Sequence, residues 1–207
     1  MHRDGHIGLT LIVFSILYYV LNSWNFKSIL ILLIAVIFST FPDYDIKILS
    51  RRTLIRKIGL LFLTLSLLLF FLQIPATTYL SVIFLFLSLI FVMLSFIHHR
   101  GITHTLTFAF VCGTLMGFIT LEILGDFYVG FIGAFFGVVL HIFGDLLTYT
   151  SFSPLYPFSN RKISLKLFRS SNKLVNRSLI TMGLIALMIL YKNGIVIRLV
   201  LDNLGCL

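Results

Sequence analysis

The sequence predicts an all-α fold, a polytopic bundle of about six or seven transmembrane helices. Of the 207 residues, 59% are hydrophobic and only 11% are charged, whereas soluble globular domains have roughly 45–50% apolar and about 25% charged residues. The apolar residues form continuous runs, which are typical of membrane helices and differ from the alternating pattern of membrane β-strands. An ordinary cytosolic domain, a disordered protein and a secreted disulfide scaffold are therefore excluded.

The apolar runs define the individual helices. A membrane-spanning helix needs about 20 apolar residues, within a range of about 17–25. Seven spans are predicted: Ile7–Leu21, Phe26–Phe41, Ile58–Ile74, Tyr79–Ile97, Leu106–Leu124, Tyr128–Leu147 and Leu179–Tyr191. The second and seventh are short, so we expect them to tilt, to lie where the bilayer is thin, or to re-enter. The short apolar run Ile195–Leu201 could extend the seventh helix across Asn193-Gly194.

The rest of the chain adds no second domain. Turn residues such as Pro42 and Gly125-Asp126 separate neighbouring runs. A long polar stretch, Thr150–Arg177, follows the sixth span. The chain has no internal repeat and no low-complexity tract, so a single domain over residues 1–207 is the prediction.

The basic residues predict the orientation. With odd spans leaving and even spans returning, one side of the membrane holds most of the 16 Lys and Arg residues. The other side holds only Lys27, Lys192 and Arg198. Because cytoplasmic loops are enriched in Lys and Arg, the N-terminus and the basic loops are expected in the cytoplasm. The protein is then a multi-pass membrane protein with its basic loops on the cytoplasmic side.

The net charge of +9 has two explanations, nucleic-acid binding or loops that face an anionic membrane surface. In so hydrophobic a chain the second is favoured, because the basic excess already follows from topology. We therefore expect membrane lipids as partners and no direct contact with nucleic acid.

Histidine and aspartate residues gather at the same predicted side. They open the first span, follow the second, lie between the fourth and fifth, and occupy the last third of the sixth. These residues are His6, Asp43, Asp45, His99, His104, His141 and Asp145. Taken one at a time, most of these residues can be explained by an ordinary structural role instead of a functional one. His6 could cap a helix, Asp43 could form an Asx turn, and His99–His104 could be a polar loop.

His141 and Asp145 carry the stronger signal. They lie four residues apart and therefore share one face of a helix. Ionisable groups within a membrane span are costly and by default indicate function, although a buried His–Asp hydrogen bond between helices would have the same spacing.

Together, these side chains predict a metal centre. Imidazole and carboxylate ligands suit zinc first, with manganese or iron as alternatives. Seven donors exceed one tetrahedral shell and fit a two-metal centre, which favours hydrolysis of a phosphoester. Arg100 is the candidate clamp for the phosphate, its alternative being one more topology-setting charge. His104 is the candidate for proton transfer.

Five elements in one order carry a family resemblance. They are Gly5-His6, Phe41-Pro42-Asp43-Tyr44-Asp45, His99-Arg100-Gly101-Ile102-Thr103-His104, His141-x-x-x-Asp145-x-x-Thr148 and Pro154-Leu155-Tyr156-Pro157. The chain thereby resembles the LexA-binding, inner-membrane-associated hydrolases, which are membrane-bound and metal-dependent. It is also distantly similar to zinc-dependent phospholipase C. The resemblance implies a location in the inner membrane, a metal site built from the seven donors, and a phosphoester substrate. In a membrane, that substrate would be an anionic phospholipid.

Three positions depart from the pattern of that family. Ile46 replaces a frequent histidine, Ser151 a usual glycine and Asn176 an acidic residue. Asparagine contributes no charge and cannot act as a base, which weakens the case for catalysis more than the case for a metal site.

Two other hypotheses come from different classes. A non-catalytic membrane protein would bind a regulatory protein partner through the basic stretches Arg51–Lys57 or Arg161–Arg177. A transporter would use His141 and Asp145 as a relay, but transport sites usually lie at the membrane midplane, whereas the cluster lies near one face.

Overall fold

The fold is described by a computed structural model for residues 1–21, 25–44, 52–72, 75–95 and 102–203. These residues form seven α-helices: α1 (Arg3–Leu21), α2 (Phe26–Thr40), α3 (Arg52–Phe71), α4 (Pro75–Ser95), α5 (Leu106–Leu124), α6 (Phe127–Leu146) and α7 (Lys173–Asn203). Short 3-10 helices, Phe41–Tyr44 and Ile102–His104, follow α2 and precede α5. The described residues contain isolated β-bridges but no strand. The predicted all-α fold is confirmed.

Six helices contain a stretch that is long and apolar enough to cross a membrane. The stretches are Arg3–Leu21, Phe26–Asp43, Thr53–Phe71, Leu106–Leu124, Phe127–Leu146 and Lys173–Lys192. Helix α4 has a shorter apolar stretch, Leu80–Leu89, within its searched residues. This pattern is that of the predicted polytopic bundle.

The seventh helix differs most from its predicted bounds. The predicted span Leu179–Tyr191 lies inside α7, which has 31 residues and continues through Asn193-Gly194. At its start, the Asn172 side chain accepts hydrogen bonds from the backbone N–H groups of Leu174 and Val175. Such a cap starts a helix at a polar residue, so the last residues of the predicted polar loop belong to α7.

Helix α6 is the centre of the bundle. It contacts α2, α5 and α1, while α1 packs mainly on α7, and α3 mainly on α4. Glycines allow these close approaches, as is common between membrane helices. A Cβ atom added at Gly137 would lie 2.5 Å from the Ala35 carbonyl oxygen, and one added at Gly8 would overlap the backbone of Leu179-Ile180. Groups at the end of α6 therefore meet side chains from several helices.

An ion pair joins the elements at the opposite end of α6. Lys27 Nζ lies 2.6 Å from Asp126 Oδ2. The Lys27 ammonium holds the pKa of the Asp126 carboxyl below its usual value. Asp126 also caps α6 by accepting from the Tyr128 N–H. The chain thus has an ordinary structural aspartate at one end of α6 and a histidine-rich cluster at the other.

Candidate metal centre

Five of the predicted site residues meet at one end of the bundle. His6 lies near the start of α1, Asp43 in the 3-10 helix after α2, and His104 at the end of the 3-10 helix before α5. His141 and Asp145 lie near the end of α6. The other predicted site residues, Asp45, His99 and Arg100, lie outside the described residues, as does Ile46.

The Asp145 carboxylate is at the middle of this cluster. Its Oδ1 lies 3.3 Å from His6 Nε2, and its Oδ2 lies 3.3 Å from His104 Nε2 and 3.6 Å from His141 Nε2. Asp43 closes the group, with Oδ1 3.8 Å from His141 Nε2 and Oδ2 3.9 Å from His6 Nε2. One ligand atom from each of four residues lies within 4.8 Å of all the others: His6, Asp43, His141 and Asp145.

The imidazole rings of His6 and His141 are completely buried. They stack with ring centroids 3.9 Å apart. His6 Nδ1, His6 Nε2 and His141 Nε2 have no hydrogen-bond partner among the described residues. Buried polar atoms are normally paired, and an unpaired one costs about 1–3 kcal/mol. A cation that accepts nitrogen lone pairs removes this cost, so the group fits a divalent metal.

A hydrogen bond at Nδ1, the ring nitrogen that faces away from the cluster, fixes the orientation of the His141 ring. His141 Nδ1 lies 2.7 Å from the Ser39 carbonyl oxygen. A carbonyl only accepts, so Nδ1 carries the proton and Nε2 presents its lone pair to the cluster. Metal-ligating histidines commonly have such an outer partner. Ser39 stands in the last turn of α2, and Pro42 three residues later has no N–H with which to occupy that carbonyl.

His104 connects the cluster to the segment between α6 and α7. Its side chain is buried, with Nδ1 3.1 Å from Thr103 Oγ1 and Nε2 facing Asp145. The His104 ring also meets Phe152 edge to face at a centroid distance of 6.0 Å. The His104 ring is therefore held between Asp145, Thr103 and Phe152.

The first residues of the chain pack over the cluster. The Met1 amino group contacts Asp145 Oδ1, and the His2 N–H donates to Asn176 Oδ1 over 3.1 Å. Asn176 is buried, and its Nδ2 donates to the carbonyls of Ser170 and Asn172. Asn176 thus connects the start of the chain to α7. The sequence comparison, in which asparagine stands where the resembled family has an acidic residue, did not indicate this positioning role.

Gly144 gives a test of how the cluster is positioned. A Cβ atom at Gly144 would lie 3.0 Å from His6 Nδ1 and 3.2 Å from His6 Cε1. We expect Gly144→Ala to displace the His6 ring and to lower metal affinity about tenfold, the size typical of a disturbed supporting contact. Isothermal titration of the metal-stripped protein with zinc measures this effect.

Gly59→Ala is the matched control, because an added Cβ there would lie 3.0 Å from Val92 Cγ2 and 3.1 Å from Phe91 Cβ, contacts of similar length between α3 and α4 that involve no residue of the cluster. Equal losses of metal affinity in the two variants would contradict a local effect on His6.

A bundle of apolar helices that gathers buried histidines and aspartates at one end defines a polytopic membrane protein with a candidate metal centre. The chain belongs to the YdjM inner membrane protein family, whose model matches residues 1–203. The predicted location in the inner membrane is thereby supported. No curated protein matches the chain significantly, and no solved structure does so.

Proposed function

We propose that this protein is a metal-dependent hydrolase of the inner membrane that acts on a phosphoester, with a membrane phospholipid as the favoured substrate. The observation that carries the proposal is the buried group of His6, His141 and Asp145, in which ring nitrogens have no hydrogen-bond partner among the described residues. Stable folding does not require such a group, since apolar side chains would fill the same space at lower cost.

The donor set favours zinc. Imidazole nitrogen and carboxylate oxygen are both zinc ligands, and manganese or iron use the same donors. His6, Asp43, His141 and Asp145 supply enough ligands for one ion. The two-ion centre expected for phosphoester hydrolysis needs additional donors, for which His104, Asp45 and His99 are the candidates.

The residues around the group divide the chemical work. A divalent ion, when bound, acidifies water and polarises a phosphoryl oxygen. His104, whose Nε2 lies 3.3 Å from Asp145 Oδ2, would take a proton from the attacking water and return it to the leaving group. Arg100 stays the candidate for holding the phosphate through its planar guanidinium.

The cytoplasmic face is the proposed location of the site. The cluster lies at the end of α6 from which the basic segment before α7 departs, with Arg161, Lys162 and Lys166 exposed. Since positively charged loops stay in the cytoplasm, a substrate would reach the site from the inner leaflet.

Metal analysis of the purified full-length chain tests the proposal. We expect stoichiometric zinc, loss of the ion on treatment with a chelator, and its recovery when zinc or manganese is added. Hydrolysis of phosphatidylglycerol and of a synthetic phosphodiester should follow the metal content. A protein that neither retains nor takes up these ions would contradict the metal site. A metal-loaded protein that hydrolyses neither substrate would contradict the reaction alone.

A second candidate is a non-catalytic membrane protein that binds a regulatory partner. The exposed cations of the segment between α6 and α7 favour it, because they offer a basic cytoplasmic surface. Under this alternative, His141→Ala leaves partner binding unchanged, whereas substitution of Arg161 and Lys162 weakens it.

A further inference from the structure

A cationic cleft lies at the end of α6 that also carries the metal cluster. It encloses about 740 Å³ between the last residues of α6 and the following segment. Its lining residues are Leu146, Tyr149, Ser151, Arg161, Lys162, Ile163, Ser164, Leu165 and Lys166. These described lining residues include three cations and no acidic side chain, so the cleft is complementary to an anion.

The cationic wall is held against α6 by hydrogen bonds. The Leu165 N–H donates to the Leu146 carbonyl over 2.7 Å, and the Leu167 N–H donates to the Leu147 carbonyl over 3.0 Å. Ser164 Oγ donates to the Thr148 carbonyl over 2.6 Å. The final carbonyls of a helix need such partners. Lys166, between two of these anchors, has a φ of 53°, a left-handed conformation that lysine rarely adopts without such constraints.

Large apolar side chains stand out from the same segment. Phe158 is 87% exposed, Leu165 60% and Leu167 66%, and Leu174 in the first turn of α7 is 80% exposed. Exposed apolar groups interleaved with cations are typical of segments that lie in a membrane interface, where the apolar groups enter the acyl region and the cations meet the headgroups. The ligand of the cleft should therefore have both a negative charge and hydrocarbon.

We propose that this cleft binds the phosphate headgroup of an anionic phospholipid of the inner leaflet. Arg161, Lys162 and Lys166 hold the phosphate, while Leu165 and Leu167 lie among the acyl chains. Leu146, which lines the cleft, directly follows Asp145, so the cleft and the metal cluster are at the same end of α6. Its role as a substrate rests on the proposed hydrolase function, whereas the binding itself does not depend on a metal.

Lipid binding by the purified full chain tests this proposal. The protein is titrated in detergent with short-chain phosphatidylglycerol and, separately, with short-chain phosphatidylcholine. We expect the anionic lipid to bind more tightly and Lys162→Gln/Lys166→Gln to weaken it about thirtyfold, since each cation near an anionic lipid contributes about fivefold. The same loss is expected in a metal-stripped protein, which separates this test from that of the hydrolase.

The matched control is Arg169→Gln/Lys173→Gln, which removes two exposed cations from the same connection but outside the cleft. It should change the affinity less than twofold. Equal losses in both double variants would overturn the cleft in favour of diffuse attraction. Failure to prefer phosphatidylglycerol would overturn the anionic ligand. Displacement of the lipid by an equal concentration of inorganic phosphate would overturn the phospholipid in favour of soluble phosphate.

Discussion

Asp145→Asn lowers the affinity of the purified protein for zinc by at least about 100-fold, because it removes a carboxylate that faces three histidine rings. Loss of a supporting partner outside the coordination shell already costs about 10–100-fold, and loss of a ligand should exceed that range. The change keeps the shape of the side chain, so the neighbouring rings keep their places. Isothermal titration of the metal-stripped variant measures the affinity, and phosphoester hydrolysis should be lost in parallel.

Asp126→Asn makes the same chemical change at the other end of α6. There the carboxylate pairs with Lys27 in an exposed ion pair, whose loss costs little. We expect wild-type metal affinity from this variant. Comparable thermal unfolding of the two variants would show that the Asp145 effect is not a folding defect. Undiminished zinc binding by Asp145→Asn would refute the metal site as assigned.

Gly137→Val should strongly destabilise the packing of α2 against α6. The new Cβ atom would lie 2.5 Å from the Ala35 carbonyl oxygen and 2.9 Å from Phe38 Cβ. Backbone cannot yield as a flexible side chain does, so α2 and α6 must separate. The expected loss is about 3 kcal/mol in the free energy of unfolding, or roughly 6–12 °C in Tm, measured by thermal unfolding in detergent.

The same variant should also weaken the metal centre. Ser39 and His141 lie one helical turn beyond Ala35 and Gly137, so separating the helices lengthens the 2.7 Å bond that orients His141. Phe136→Leu is the control. Phe136 directly precedes Gly137 but is 45% exposed and faces away from the packed core. Wild-type Tm and metal affinity in Gly137→Val would disprove the close contact of α2 with α6.

The helices could be predicted from the sequence because a membrane leaves the backbone few alternatives to a helix. The apolar runs therefore located all seven helices, and the i, i+4 spacing placed His141 and Asp145 on one face. The extent of α7 could not be predicted from hydropathy. Its first turn is polar and begins at the Asn172 cap, which a window of apolar residues does not detect.

The details of the site depended on backbone atoms, which hydropathy does not reveal. The Ser39 carbonyl that orients His141 belongs to a residue with no distinguishing side-chain role in the cluster. The pairing of α1 with α7 was equally hidden, because apolar helices offer similar faces to many partners and small residues alone mark the true contact. Asp145, one donor among seven in the sequence, proved central only once the helices were packed.

The contact of Gly8 with the backbone of Leu179-Ile180 has a consequence for biosynthesis. Helix α1 precedes the other described helices along the chain, yet it packs most extensively on α7, which follows them. His6 can therefore take its final place against His141 only after the ribosome has completed α7. A chain that stops before α7 would carry all of the candidate ligands but would lack the helix on which α1 packs most extensively, so metal loading would report that synthesis has run past α7.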